Sequence, residues 1–272
     1  MQNLIKNKAT ICIVNYKTLL FTTLCLRSIR KFTEYPYEVI VIDNDSQDDS
    51  LEYLKSLNWI KLIERPPEPD KPMGGYNHAA SLDLGLKNCT TEYFVTLHSD
   101  TFIRKNNWLG DLISYFQNDE NIACVGSGKI EIKPEWQMLL KKITDFRTLR
   151  RKLLHKPDPI GKFRYYNRTI CCLYRTEILR KENLSFRMDY INGLTVGKKL
   201  YFELVDRGYK TVELPSALMG MYVYHVGHGT QVINSKLYSI RKKTIRKGKR
   251  IASKITTSSL CQQIYSDNTL DL

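Results

Sequence analysis

Residues 93–103 read YFVTLHSDTFI. A hydrophobic run rich in Val, Phe and Tyr stops at His98-Ser99-Asp100, and a second apolar run starts directly after it. Short runs of this composition are buried strands. A carboxylate at the end of such a strand stands at the mouth of an open α/β sheet, where ligands bind. A hard oxygen ligand there is suited to holding Mg²⁺ or Mn²⁺ against a diphosphate. The same residues also fit a strand followed by a helix cap, since Ser and Asp both cap well.

Outward from this strand the pattern repeats. Residues 9–15 (ATICIVN) and 38–43 (EVIVID) are apolar runs ending in Asn15 and Asp43, and 60–64 and 123–128 are shorter ones. Helical patterns occupy 19–31, 48–57, 76–87 and 108–118. The proline-dense 65–73 is a loop, and Gly74-Gly75 frees the backbone ahead of the next helix. Strand and helix alternate, which predicts a mostly parallel central sheet flanked by helices. In that geometry Asn15, Asp43 and Asp100 fall on one sheet edge. Farther along, 165–174 and 211–214 read as strands, 195–207 as a helix closed by Gly208, and 221–226 as a further apolar run.

The chain has 272 residues, 42% of them hydrophobic, enough for one large α/β domain with a sizeable core. Its net charge of +14 favours acidic partners, whether phosphates, anionic lipid, nucleic acid or acidic glycans. Much of that charge lies in two segments, 134–163 and 236–254. The first reads as an excursion from the sheet and the second as a basic C-terminal extension, dividing the chain into 1–235 and 236–272. Seven cysteines, mostly in apolar stretches and without a CxxC pair, match buried reduced thiols rather than a disulfide framework or zinc site. No run of about 18 apolar residues suggests a membrane span. These features predict a cytoplasmic protein, free or held at the membrane face.

Several ordered motifs together resemble family 2 glycosyltransferases of the GT-A fold. ICIVNYK resembles that family's first strand and EVIVIDNDSQDDS its second strand and turn. GGYNHAASLDLGL stands in the place of its glycine-rich helix, LHSDTFI in that of its metal-binding DxD, and YHVGHGT in that of the His-containing segment closing the sugar-nucleotide site. The match is dense over 9–110, patchy over 165–230 and absent after about 235. The resemblance implies a GT-A nucleotide-diphospho-sugar transferase using Mn²⁺ or Mg²⁺. The acceptor would be a hydroxyl on a glycan or lipid-linked glycan, with inversion at the transferred carbon.

Residue by residue, the resemblance puts Asp100 on the metal, with His225 completing its shell. Asp43 would hold the nucleoside, with Asn15 framing the base, and His98 and Ser99 belong to the nucleotide-sugar site. His98 stands where the family has a carboxylate, a change Mn²⁺ tolerates better than Mg²⁺. Asp83 reaches toward the sugar or ribose, or lies on a solvated helix face; His78, five residues before it, does not share its face well. Arg65 and Lys71 flank the proline loop, as phosphate contacts or as solvated charges. His228 with Gly227 and Gly229 fits a lid.

Inverting transfer needs a carboxylate to accept the acceptor's proton. The family's Glu-Asp pair is replaced here by Thr195-Val196-Gly197, leaving Asp189 as the nearest acid, unless it only ends a turn after Phe186. Two other readings follow: the same fold binding nucleotide sugars without turnover, or a basic nucleic-acid binder, against which stands the absence of any nucleic-acid motif. The extension could also meet anionic lipid through its cations, with a ragged apolar stripe of Leu237, Ile240, Ile245, Ile251 and Ile255 beside them.

Overall fold

The structure, a computed structural model, describes residues 3–66, 68, 74–117, 119–128, 130, 166–189, 193–236 and 242–272. The basic stretch 134–163, Lys71 and most of the proline loop lie outside the described residues.

The central sheet has seven strands in the order β3-β2-β1-β4-β7-β6-β8. They are β1 (Ile5–Asn15), β2 (Tyr37–Asp43), β3 (Ile60–Glu64), β4 (Thr91–His98), β6 (Ile122–Gly126), β7 (Cys171–Arg175) and β8 (Lys210–Glu213). β1 lies between β2 and β4, parallel to both, and its last seven residues are buried. A strand covered on both faces needs no alternation of polar and apolar residues, which is why these segments read as continuous apolar runs. β7 is the exception to the parallel expectation: it runs antiparallel to both β4 and β6. A two-stranded ribbon joins β5 (Thr101–Ile103) to β9 (Val223–His225).

Helices cover both faces. On one side α1 (Leu19–Phe32) and α4 (Trp108–Gln117) bury Phe21, Leu24, Trp108, Leu112 and Phe116. On the other, α3 (Gly75–Asn88), α5 (Thr176–Lys181) and α6 (Lys198–Asp206) bury Leu82, Leu86, Leu179, Leu200 and Leu204. α2 (Asp49–Lys55) is capped by the Asp48 side chain, which accepts from Ser50 N. α3 sits so near the sheet that a Cβ on Gly85 would fall 2.3 Å from Cys12 Sγ. α6 begins three residues later than 195 because Gly197 turns left-handed at φ 68°. Of the 221–226 run, Tyr222 still ends α7 (Ser216–Tyr222) and only Val223–His225 is strand.

After β9 follow α8 (Gly229–Ile233), α9 (Lys242–Thr256) and α10 (Ser259–Ser266). Ile255, Cys261 and Ile264 join the same core as α1. Arg27 locks this end in place: it donates to both oxygens of Asp271 (2.9 and 2.5 Å), to Asn268 Oδ1 (2.7 Å) and to the Tyr265 carbonyl. A buried guanidinium is tolerated where its donors are met in this way, and the Asp271 hydrogen bonds raise its pKa further. All seven cysteines are buried, and burial raises the thiols of Cys12, Cys25, Cys171 and Cys172 far from ionisation.

Candidate functional site

The register of the sheet sets the site. Asn15 pairs with Asp43 and Val14 with His98, so β1, β2 and β4 end together. Past β4 the chain turns through Ser99-Asp100 into β5, where Thr101 lies opposite His225 of β9. The backbone N–H of Val226 donates to the Asp100 carbonyl at 3.1 Å. This pairing carries His225 beside Asp100. Asp100 Oδ2 accepts from Gly229 N at 2.8 Å, while Oδ1 is 3.5 Å from His225 Nε2 and 3.9 Å from His98 Nδ1. One ligand atom from each of His98, Asp100 and His225 falls within 4.8 Å of the others.

The imidazoles here are held neutral. Burial, then the neighbouring His78, His225 and Arg168, pushes His98 well below the ordinary histidine range. Burial lowers His225 as well, outweighing the opposing pull of Asp100. Neutral imidazole is the form that ligates metals. His98 Nε2 lies 3.3 Å from Thr169 Oγ1, a contact that orients the ring with Nδ1 toward Asp100. One carboxylate and two neutral imidazoles fit a borderline cation such as Mn²⁺ better than Mg²⁺, which prefers oxygen.

His78 of α3 completes the cluster. Its ring meets that of His98 edge-on at 4.9 Å between centroids, and its Nε2 is buried without a hydrogen-bond partner among the described residues. Asp83 points elsewhere, because five residues along a helix turn a side chain by about 140°. Its oxygens accept from Ser185 Oγ (2.6 Å) and Phe186 N (2.8 Å), tying α3 to the segment before Asp189. Asp189 is half-buried and bridges to Leu194 through two backbone hydrogen bonds. The preceding Met188 packs over the start of α3, with Cε and Sδ each 3.1 Å from where a Gly75 Cβ would stand.

Asn15, Asp43 and Ser99 are joined by one buried polar network. Asn15 Nδ2 donates to Asp43 Oδ1 (2.7 Å), and Asn15 Oδ1 accepts from Thr22 (2.6 Å) and Thr18 (3.1 Å). Thr18 Oγ1 is 3.5 Å from Ser99 Oγ. Asp43 also accepts from Ser46 Oγ (2.5 Å) and Ser46 N (2.8 Å), and it has no exposed surface. In this arrangement Asn15 and Asp43 brace the loops at the strand ends. Arg65 is likewise buried, bonded to Glu68, Asn44 and Asn77. His228 is left-handed at φ 60° and turns to Gln231, with Nδ1 3.0 Å from its Oε1.

The sequence description "Glycosyl transferase family 2" matches residues 10–173, more than half of the chain and all of the β1–β4 edge. The chain belongs to glycosyl transferase family 2. Solved structures share the fold of this glycosyltransferase. A mannosyltransferase from Pyrobaculum calidifontis, in complex with GDP-Man and Mn²⁺, is 14% identical with a TM-score of 0.54, over 96% of this chain and 79% of its own. Glucosyl-3-phosphoglycerate synthase from Mycobacterium tuberculosis, in complex with Mn²⁺, UDP and glucosyl-3-phosphoglycerate, is 15% identical with a TM-score of 0.52, over 92% and 79%. Residues 1–349 of S. aureus TarS are 16% identical with a TM-score of 0.51, over 95% and 69%. No curated protein matches the sequence. The mixed sheet and its flanking helices are therefore those of a GT-A glycosyltransferase.

Burial of His78 should make the transferase acid-sensitive. Burial lowers its pKa from 6.5 to about 4, so between those values the unfolded chain binds the proton that the folded one refuses. The contribution of this residue to stability is complete above about pH 6.5 and falls as the pH drops toward 4, by at most about 1.4 kcal/mol per pH unit. Urea midpoints of wild type and His78→Phe at pH 7.5 and 5 test this. The loss on acidification should be smaller in the variant; equal losses would assign it to other groups.

Proposed function

We propose that this glycosyltransferase moves a sugar from a nucleotide-diphosphate donor to the hydroxyl of a glycan or lipid-linked glycan, with inversion. The observation that carries the reading is the convergence of His98, Asp100 and His225 at the edge where β1, β2 and β4 end. A divalent cation, Mn²⁺ by the chemistry of the donor set, would be held by these three residues and would neutralise charge on the departing diphosphate. Solved relatives of the same fold carry Mn²⁺ with GDP-Man or with UDP, which supports the assignment.

Around that centre the chain's own residues orient and exclude water. Asp43 and Asn15 set the nucleoside end; Asp43 Oδ2 accepts only from Ser46 N among the described residues and has capacity for another donor. His78 Nε2, buried and without a partner among the described residues, lies against His98 and would help hold that ring in place. Thr169 keeps His98 turned toward Asp100. The acceptor oxygen attacks the anomeric carbon, the bond from that carbon to the phosphate oxygen breaks, and the acceptor's proton passes to a carboxylate, Asp189 in this assignment.

Thermal shift with a panel of nucleotide sugars, with Mn²⁺ or Mg²⁺, tests donor binding, because a ligand of the native state raises its apparent stability. Stabilisation should require nucleotide sugar and metal together and be larger with Mn²⁺. Asp189→Asn should keep that shift and lower nucleoside-diphosphate release by about a hundredfold or more. A full shift without release in wild type would favour the non-catalytic reading, which the lack of acids at Thr195-Val196-Gly197 motivates.

A further inference from the structure

The helix α9 carries seven Lys and Arg and no acid. All seven are exposed, and none forms an ion pair with a described acidic residue. At 3.6 residues per turn, Arg246, Lys247, Arg250 and Lys254 share one outward side. Gly248 and Ile255, on the opposite side, are buried. Gly248 lets α9 press onto α8, since a Cβ there would meet Val232 Cγ2 at 2.3 Å. The apolar stripe through Ile255 thus faces the protein, and Leu237 and Ile240 lie outside the described residues. What α9 offers to solvent is charge.

Apolar surface lies next to it. A cleft of about 260 Å³ opens between α1, α8 and α9, lined by the apolar Leu20, Phe21, Val232, Ile233 and Ala252 together with Lys249 and Thr256. Leu20 and Ile233 are 36% and 45% exposed. The cleft backs onto the candidate cation site, because the Phe21 ring lies 2.8 Å from where a Gly229 Cβ would stand, and Gly229 N holds Asp100.

We propose that α9 and this cleft form a docking site for anionic membrane lipid, with the cations on the phosphate headgroups and the cleft on part of an acyl chain. Charge alone would suit any polyanion. A nucleic acid or a soluble anionic glycan, however, has nothing to place against Leu20 and Ile233, whereas a lipid brings phosphate and hydrocarbon together. The cleft is smaller than a pocket for a whole small molecule, which suits a segment of chain. No helix among the described residues is long and apolar enough to cross a membrane, so attachment through α9 is at the surface. The consequence, presentation of a lipid-linked acceptor on the face that carries Asp100, rests on the function proposed above; the docking itself stands on α9 and the cleft.

Co-sedimentation with vesicles of phosphatidylcholine alone, or mixed with phosphatidylglycerol, tests the docking. The full chain should bind only the mixed vesicles, and about 0.5 M NaCl should release most of it by screening. The triple variant Lys247→Glu/Arg250→Glu/Lys254→Glu should lose about a hundredfold or more in vesicle affinity. Leu20→Ser/Ile233→Ser, with charge unchanged, should lose about tenfold. The proposal fails if wild type ignores anionic vesicles at low salt, if either variant binds them as wild type does, or if duplex DNA displaces the protein at equal phosphate concentration. Thermal shift by nucleotide sugar with Mn²⁺ on the same proteins separates the two readings. A charge-reversed variant with its donor response intact but vesicle binding gone upholds the docking site. A wild type that binds vesicles with no donor response also upholds it, while sinking the donor reading.

Discussion

Replacing Asp100 with Asn should lower sugar transfer by about a thousandfold, the loss expected when a group that stabilises developing charge is removed from a dry site. The substitution keeps the shape and leaves an oxygen that can accept from Gly229 N, now 2.8 Å from Oδ2. What disappears is the one negative charge between His98 and His225. Without it these three positions offer two neutral imidazoles and a neutral amide oxygen, with no anionic ligand to offset the charge of a divalent cation. Equilibrium dialysis with Mn²⁺ and the rate of nucleoside-diphosphate release read the two consequences separately. Metal affinity should fall with the rate, while the melting temperature moves by only a few degrees. Turnover within twofold of wild type would remove Asp100 from the reaction and end the metal assignment.

Gly229→Ala is the second severe change, and its cause is space rather than backbone conformation. A Cβ at 229 would stand 2.5 Å from Asp100 Cβ, 2.8 Å from its Oδ2 and 2.8 Å from Phe21 Cε2. The first of these neighbours belongs to the turn out of β4 and the last is a ring in the core, so neither swings aside cheaply. The chain at 229 must retreat, and its N–H leaves Asp100. Transfer should fall about ten- to a hundredfold through the misplaced carboxylate. Overpacking should cost about 1–3 kcal/mol of stability. Urea unfolding and steady-state kinetics on one preparation check both numbers. If the variant matches wild type in stability and rate, the close packing of Gly229 on Asp100 is not what holds the site.

Much of the architecture was legible because burial on both faces leaves a strong local trace. β1, β2 and β4 are unbroken apolar runs that stop at Asn15, Asp43 and the His98-Ser99-Asp100 turn, and the structure brings those ends to one edge. The reversal of β7 was not legible. Antiparallel Cys171–Arg175 has the same composition as a parallel strand, so its direction is not written in its own residues. In the site, LHSDTFI and YHVGHGT singled out Asp100 and His225, and the structure sets the two side chains beside each other. His98 was read with the nucleotide sugar, whereas its Nδ1 lies beside Asp100 and groups with the candidate ligands. The one signal for His78 was negative: its spacing from Asp83 said that the two face different ways. The basic helix was visible as charge beside a ragged apolar stripe; that Gly248 and Ile255 turn inward is set by the packing.

The sequence by itself determined that 9–15, 38–43 and 93–98 are strands, that acids and amides stop them, and that its motifs resemble those of GT-A glycosyltransferases. The first two are written within about ten residues, as composition and periodicity; the last rests on ordered motifs that resemble the family. Only the tertiary structure decided that His78, His98, Asp100 and His225 meet, and that Asp43 is buried against Asn15 while Asp83 is spent on Ser185 and Phe186. Those contacts depend on β9 pairing with β5 and on α3 pressing against the sheet, and long-range pairings of this kind leave no mark in the local spacing of the residues they join.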